Sequence, residues 1–414
     1  MLEKMKSAWR IPELRKKITY TFGLLLVYRL LCVIPVPGMD IEAVSAAVSQ
    51  FSILEFMNMM TGGSFSQMSI MAMGITPYIN SSIILQLLTV AIPALEKLAK
   101  EGPEGRKKIS EWTRYLTVVL AFVQAVGLVF AMRGSAKGGL WYVVIGLSMA
   151  AGTALAMWIG ERITENGIGN GISLLILAGI VSNMFSWVIS AFAGMAEGTV
   201  SIIAVVVIVV AMLAMIVAIT YVDMGERRIP VQYAKRVVGR KMYGGQSTHI
   251  PMKINSTGVM PLIFGFAILQ FPATIFAFFP TSGINIWWQG FSMSVWYQLV
   301  LALLIVAFTY FYTSITFNPV DISKNMQQNG GIIPGIRQGR ATSDYLAKVS
   351  RRLTLFSALF LAVLATIPTM LTQIFGITAP FGASSVLIAV SVGIETIRQI
   401  EAQMVMRHHK GFLG

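Results

Sequence analysis

Long runs of about 20 apolar residues recur along this chain, and no other feature limits its fold as tightly. Ile202 to Tyr221 and Leu353 to Leu371 are two of them. A helix needs ~20 mostly apolar residues to cross the hydrocarbon core of a bilayer, and in lipid each backbone N–H and C=O must find its partner inside the segment. Membrane β-barrels alternate apolar and polar residues and lack such continuous runs. The chain therefore reads as an all-α membrane protein. Ten runs are long enough to span: 18–35, 70–92, 115–132, 140–160, 170–190, 200–222, 257–279, 295–316, 353–372 and 381–399. The first is of spanning length with no small-residue cleavage pattern behind it, so it is expected to stay as a span.

Composition agrees: 55% of residues are hydrophobic and only 12% charged, which excludes an ordinary water-soluble domain. The net charge of +14 is informative once it is spread over the loops. Of the 32 Lys and Arg, 29 fall in the two ends and the loops on their side; Arg133 and Lys137 lie on the other side, and Arg29 lies inside the first run. Retained positive charge marks the cytoplasmic side, so an even number of spans with both termini cytoplasmic is expected. Ten spans divide into five plus five, residues 1–192 and 193–414. With an odd number per half, any relation between the halves must be an inverted-topology repeat.

Between the first two spans, residues 51–65 form a short Met-rich apolar stretch that includes Ile53, Leu54, Phe56, Met57 and Met60 and ends at Gly62 and Gly63. It is too short to cross, and a re-entrant half-helix fits its length; an amphipathic helix on the outer surface is the alternative. The second span carries Gly74, Pro77, Asn80, Ser81, Ser82 and Gln86, too much polarity for a helix surrounded by lipid. With Gln124 and Gln270 these residues outline a polar seam, or else serve as hydrogen-bonding glue between helices. The loops 223–256 and 317–352 are long and basic beyond what orientation requires. Arg227, Arg228, Lys235, Arg236, Arg240 and Lys241 in the first, with Arg337 and Arg340 in the second, suit docking to a large acidic partner such as a nucleotide-driven motor or ribosomal RNA.

Catalytic chemistry has no foothold in the sequence. Metalloprotease, serine-hydrolase and nucleotide-binding motifs are absent, His249, His408 and His409 lack metal-ligand spacing, and Cys32 has no disulfide partner. No cofactor or metal is expected. The glycine-rich stretch 167–171 follows no strand, so it reads as a flexible lead-in to the fifth span, not a phosphate loop. Arg29 is the one clearly intramembrane charge, near enough to the outer end of its span to snorkel. Ion-coupled carriers usually bury an acidic or basic coupling residue in the bundle. Its absence weakens the rival reading, a secondary solute transporter, as the missing motifs weaken an intramembrane protease.

Four stretches decide among a pore, an insertase and a scaffold. GITPYINSSIILQLLTVAIP (74–93), ITENGIGNGISLLILAGI (163–180), AKRVVGRKMYGGQSTHIPMKIN and NGGIIPGIRQGR closely resemble the SecY family, and the resemblance runs from the first span to the last. It implies a ten-span clamshell of two five-span halves around an hourglass pore, a conduit for unfolded polypeptides across the bacterial cytoplasmic membrane. The pore ring would be Ile75, Ile79, Ile172, Ile176, Ile263 and Ile388; Ile75 and Ile79, like Ile172 and Ile176, are spaced to share a helix face. Residues 51–65 would be the outer plug. Spans two and three facing seven and eight would form a lateral gate to lipid, with Asn80, Gln86, Gln124 and Gln270 as candidate gate residues. The basic loops would dock the SecA ATPase or the ribosome, Arg337 matching the family's coupling arginine; SecE would brace the halves and SecG sit at the periphery. The substrates implied are secretory and membrane proteins with signal sequences. Two departures are Gln338, where proline is common, which leaves the loop tip less rigid, and Ala383 beside Gly382, where some members have two glycines.

Overall fold

The computed structural model describes residues 9, 11–39, 62–131, 139–196, 201–233, 236–238, 241–243, 247–277, 282–292, 294–375 and 383–410. The helices are α1 (Pro12–Leu31), α2 (Thr76–Ala91), α3 (Pro93–Lys100), α4 (Pro103–Ala131), α5 (Gly139–Asn166), α6 (Gly171–Ala196), α7 (Ile202–Met224), α8 (Met260–Ala277), α9 (Gly283–Ser292), α10 (Val295–Thr316), α11 (Pro319–Gln328), α12 (Arg340–Phe375) and α13 (Ala383–Lys410). Each of the ten apolar runs overlaps one of them. Among the described residues, α4, α5, α6, α7, α10 and α12 are each long and apolar enough to cross a membrane, and the bent pair α2–α3 passes the same test together.

The outer surface shows what solvent the fold is built for. On α7 the residues Ile203, Val206, Val210, Leu213, Val217 and Tyr221 are all exposed, and they recur every three to four positions, so one entire face is apolar and uncovered. Ala204, Ile208, Met215, Ile219 and Val222 form the buried face. A helix apolar all round belongs in lipid.

Prolines set several helix ends. Pro12, Pro77, Pro93, Pro103 and Pro319 stand in first turns, where no backbone donor is lost. Pro93 also forces the residue before it out of the helical region: Ile92 has φ −107° and ψ 112°, and the axis turns by 102° between α2 and α3.

Two corrections to the sequence reading follow. The second run is helical only from Thr76. Before it, residues 62–75 run through turns, with Val36 N–H donating to Met68 O (2.8 Å) and Ile70 N–H to Ile34 O (2.9 Å). These bonds commit the backbone to a bridge between residues 35 and 69, so the helix cannot start earlier. Phe65, Met68, Ala72 and Met73 are buried there against Ala125 and Val129 of α4 and Ile145 and Met149 of α5.

The long basic loops are also largely folded. The strands β1 (Glu226–Tyr233) and β4 (Ser247–Lys253) pair antiparallel from Glu226↔Lys253 to Gln232↔Ser247, and β5 (Gly331–Ile332) joins the other edge of β1, giving the order β4-β1-β5. Two short strands, β2 (Arg236–Val238) and β3 (Lys241–Tyr243), pair in the hairpin between them. Packing divides the chain into two units: 1–206, 267–293 and 377–414 in one, 207–266 and 294–376 in the other. In the first, α4 packs on α5, α2 on α4, and α6 on α5 and α13; in the second, α10 packs on α12 and α11 on α12.

Candidate translocation path and docking body

Five of the six isoleucines expected at the pore ring lie in the first unit. Ile75 is 5% exposed and stands immediately before α2; its carbonyl accepts from Ile79 N–H (3.0 Å), so the pair is one turn apart. Ile172 and Ile176 occupy the first two turns of α6, and the Ile172 side chain lies over Gly160 of α5. Ile176 is buried, as is Ile388 on α13. Ile263 belongs to the second unit, half-buried on α8 beside Phe264, whose ring stacks on Phe308 of α10 (5.4 Å between centroids). None of the six is turned out to the surface, whereas Ile84, Leu88, Val181 and Phe185 on the same helices are exposed.

The segment entering α6 is not flexible, contrary to the sequence reading of 167–171. Thr21 Oγ1 of α1 accepts from Ile168 N–H (3.1 Å), Gln399 Oε1 of α13 accepts from Gly169 N–H (3.0 Å), and Thr164 Oγ1 of α5 accepts from Gly171 N–H (2.9 Å). Asn170 Oδ1 accepts from the N–H groups of Ile172 (3.1 Å) and Ser173 (3.3 Å), the local pattern of a helix N-cap. With these donors committed, the turn holds no free cradle for a phosphate. It fixes the start of α6, and so Ile172 and Ile176, against three other helices.

Arg29 does not snorkel. Its Nη1 points at the Gly62 carbonyl (3.5 Å), and Nη2 is shut off from solvent without a hydrogen-bond partner among the described residues. Gly62 sits with φ +70°, and a Cβ there would lie 2.6 Å from Arg29 Nη1 and 2.8 Å from the Gly179 Cα, so glycine is required both by conformation and by space. Gly63 has φ +86°. Ile53, Leu54, Phe56, Met57 and Met60 lie outside the described residues. Of the seam candidates, Asn80 and Gln124 are half-buried and Gln86 is exposed on α2; Gln270 lies on α8, with its side chain outside the described set.

In the second unit the two basic loops are one body. Ile229 and Val231 of β1 face inward with Met252 of β4, Met326 of α11, Leu346 of α12 and Ile333 of the loop after β5, and together they form a small core of their own. Arg228, Pro230 and Gln232 alternate outward. This period-two pattern was readable in the sequence, but Pro230 argues against a central strand. The structure resolves the conflict: β5 pairs with β1 only at Gln232 and Tyr233, so at Pro230 the strand has an open edge.

Arg227, Arg337 and Arg340 are exposed, and Arg228 is paired with Glu226 (2.7 Å). Arg236 is in β2 and Lys241 in β3, their side chains outside the described set; Lys235 and Arg240 lie outside the described residues altogether. The tip bearing Arg337 is stapled, not slack: Gln338 Nε2 donates to Gly331 O (3.2 Å), Thr342 Oγ1 to Arg337 O (2.8 Å) and Ser323 Oγ to Gly339 O (2.7 Å). The glutamine thus supplies by hydrogen bonding the restraint expected to be lost with proline. Ala383 is the first residue of α13.

Two solved channels share this fold. One, a SecY protein whose plug domain stabilises the closed state of the translocation channel and maintains a membrane seal, superposes with a TM-score of 0.68 at 20% identity, over 94% of this chain and 92% of that one. The other, from the canine ribosome–channel complex of the endoplasmic reticulum, gives 0.65 at 19% identity with the same coverage. The fold is therefore that of an all-α, multi-span membrane protein. The SecY family profile matches residues 69–397, and the protein translocase subunit SecY of Streptomyces coelicolor is 42% identical over 439 residues, covering 100% of both chains. The chain belongs to the SecY family, the channel subunits of the bacterial Sec translocase.

Proposed function

We propose that this protein-conducting channel is gated by a ring of Ile75, Ile79, Ile172, Ile176, Ile263 and Ile388, sealed outside by the segment 51–65, and opened sideways between the second and third spans and the seventh and eighth. The observation that carries the reading is the burial of the six isoleucines: all are buried or half-buried, whereas Ile84 and Leu88 on α2, Val181 on α6 and Ile268 on α8 are exposed. Aliphatic tips at a constriction exclude water and ions by dewetting yet yield to a polypeptide. The ten helices would form two five-span halves, 1–192 and 193–414, with both termini cytoplasmic in the bacterial inner membrane. That orientation places the sheet body on the cytoplasmic side, where Arg227, Arg337 and Arg340 are available to the SecA ATPase or to ribosomal RNA. SecE and SecG would complete the assembly, and secretory and membrane proteins with signal sequences would be its substrates.

The channel does no covalent chemistry of its own. Driving force comes from ATP hydrolysis by the docked motor, from chain elongation at the ribosome, or from the membrane potential, which is worth ~2.3 kcal/mol per charge per 100 mV. Planar-bilayer conductance tests the ring. The closed channel is expected to be ion-tight, and replacement of Ile75, Ile79 and Ile176 by Asn is expected to make it leak; a triple variant as tight as the parent refutes the ring assignment.

A further inference from the structure

We propose that Asn255 is the positioning residue through which a load on the basic sheet body reaches α8, the helix that carries Ile263; the inference rests on the docking role of that body. The strand β1 leaves the end of α7, and β4 runs back toward the start of α8, so the hairpin stands on those two helices. Seven residue pairs make the hairpin a continuous ladder, and Ile254 N–H donating to Gly225 O (3.0 Å) closes its base. Beyond that bond the ladder ends, and six residues later α8 begins at Met260.

Asn255, 4% exposed, bridges this gap. Its Nδ2 donates to Asp223 Oδ1 in the last turn of α7 (3.2 Å), and its Oδ1 accepts from Ser357 Oγ of α12 (3.2 Å) and from Thr257 Oγ1 (3.3 Å). An ionised carboxylate can only accept, so the amide nitrogen must face Asp223 and the oxygen the two hydroxyls. One side chain thus ties the lead-in of α8 to α7 and α12. Ser357 and Thr257 are buried as well, which leaves water no easy way to replace the lost bonds. The same α12 supplies Leu346 to the core of the sheet body, eleven residues or ~16 Å before Ser357. Displacement of the body therefore has two rigid routes, through β4 and through α12, and both end on Asn255.

The test uses the full chain, reconstituted with its partner subunits in vesicles, with SecA binding and preprotein translocation measured on the same preparation. Asn255→Leu is expected to leave SecA affinity within about twofold and to lower translocation about tenfold, in the range of ordinary coupling effects. Should that variant fail to accumulate, Ser357→Ala removes one bond only, and the same split is expected at about fivefold. Affinity and translocation falling together would make Asn255 a merely structural residue and overturn the inference, and so would normal docking with unchanged translocation. Parent vesicles that bind no SecA would instead overturn the docking reading, and this inference with it.

Discussion

Thr21→Val is the sharpest probe of the turn that sets the start of α6. Valine keeps the shape of threonine and removes the hydroxyl that accepts from Ile168 N–H at 3.1 Å. Ile168 is 3% exposed, so its amide has no ready access to water as a substitute. An unsatisfied buried donor costs ~1–3 kcal/mol, which at ~1.4 kcal/mol per tenfold is a ~5- to 150-fold rise in the population of the opened turn. Hydrogen exchange of the purified channel in nanodiscs reads this directly: the Ile168 amide should exchange faster by that factor, with amides in the middle of α7 unchanged as an internal control. Gln399→Leu, which removes the half-buried acceptor of Gly169 N–H (3.0 Å), should act in the same direction but by less, about 2- to 10-fold, because water can partly replace it. Exchange at Ile168 within twofold of the parent would show that the turn is not held by the α1 hydroxyl, and the account of a pinned α6 would fail.

Three further outcomes follow from the same structure. Gly62→Ala forces a Cβ onto Arg29 at a φ of +70°, and a left-handed alanine alone costs ~1–2 kcal/mol; thermal melts in detergent should fall by several degrees, more than for Gly393→Ala, where nothing lies within 4 Å of the added carbon. Arg337→Glu and Arg227→Glu should each weaken SecA or ribosome binding and flatten its salt dependence, whereas Arg228→Glu should do less, because Glu226 already neutralises that arginine. Gln338→Ala removes the staple to the Gly331 carbonyl and should raise exchange at residues 331–339 by about two- to tenfold without changing exchange in α10.

The helices were legible in the sequence because lipid leaves an apolar run of about twenty residues a single solution, in which the segment satisfies its own backbone. Length alone therefore placed a helix in each of the ten runs, whereas the bend at Pro93 after α2 went unread although proline is a local signal for it. The candidate ring was less legible. The spacing of Ile75 with Ile79 and of Ile172 with Ile176 puts each pair on one face, yet an isoleucine in a membrane helix looks the same whether it faces lipid, a neighbour or a pore. Only the resemblance to the SecY family singled these out, and only packing revealed that they turn away from the surface.

What tertiary structure alone decided are the polar ties, since each depends on a partner remote in the chain. Gly169 meets Gln399 across 230 positions, Ile168 meets Thr21 across 147, and Asn255 meets Ser357 across 102. No local pattern encodes such meetings, so a glycine-rich stretch that reads as flexible is held on three sides. The same holds for Arg29, which turns inward because the Gly62 carbonyl lies within reach, and for the two basic loops, which are one body because β5 pairs with the end of β1 and both loops share one small core. The bilayer dictates the helices through short-range chemistry; where they are fastened, and what they fasten, depends on contacts that exist only once the chain has folded.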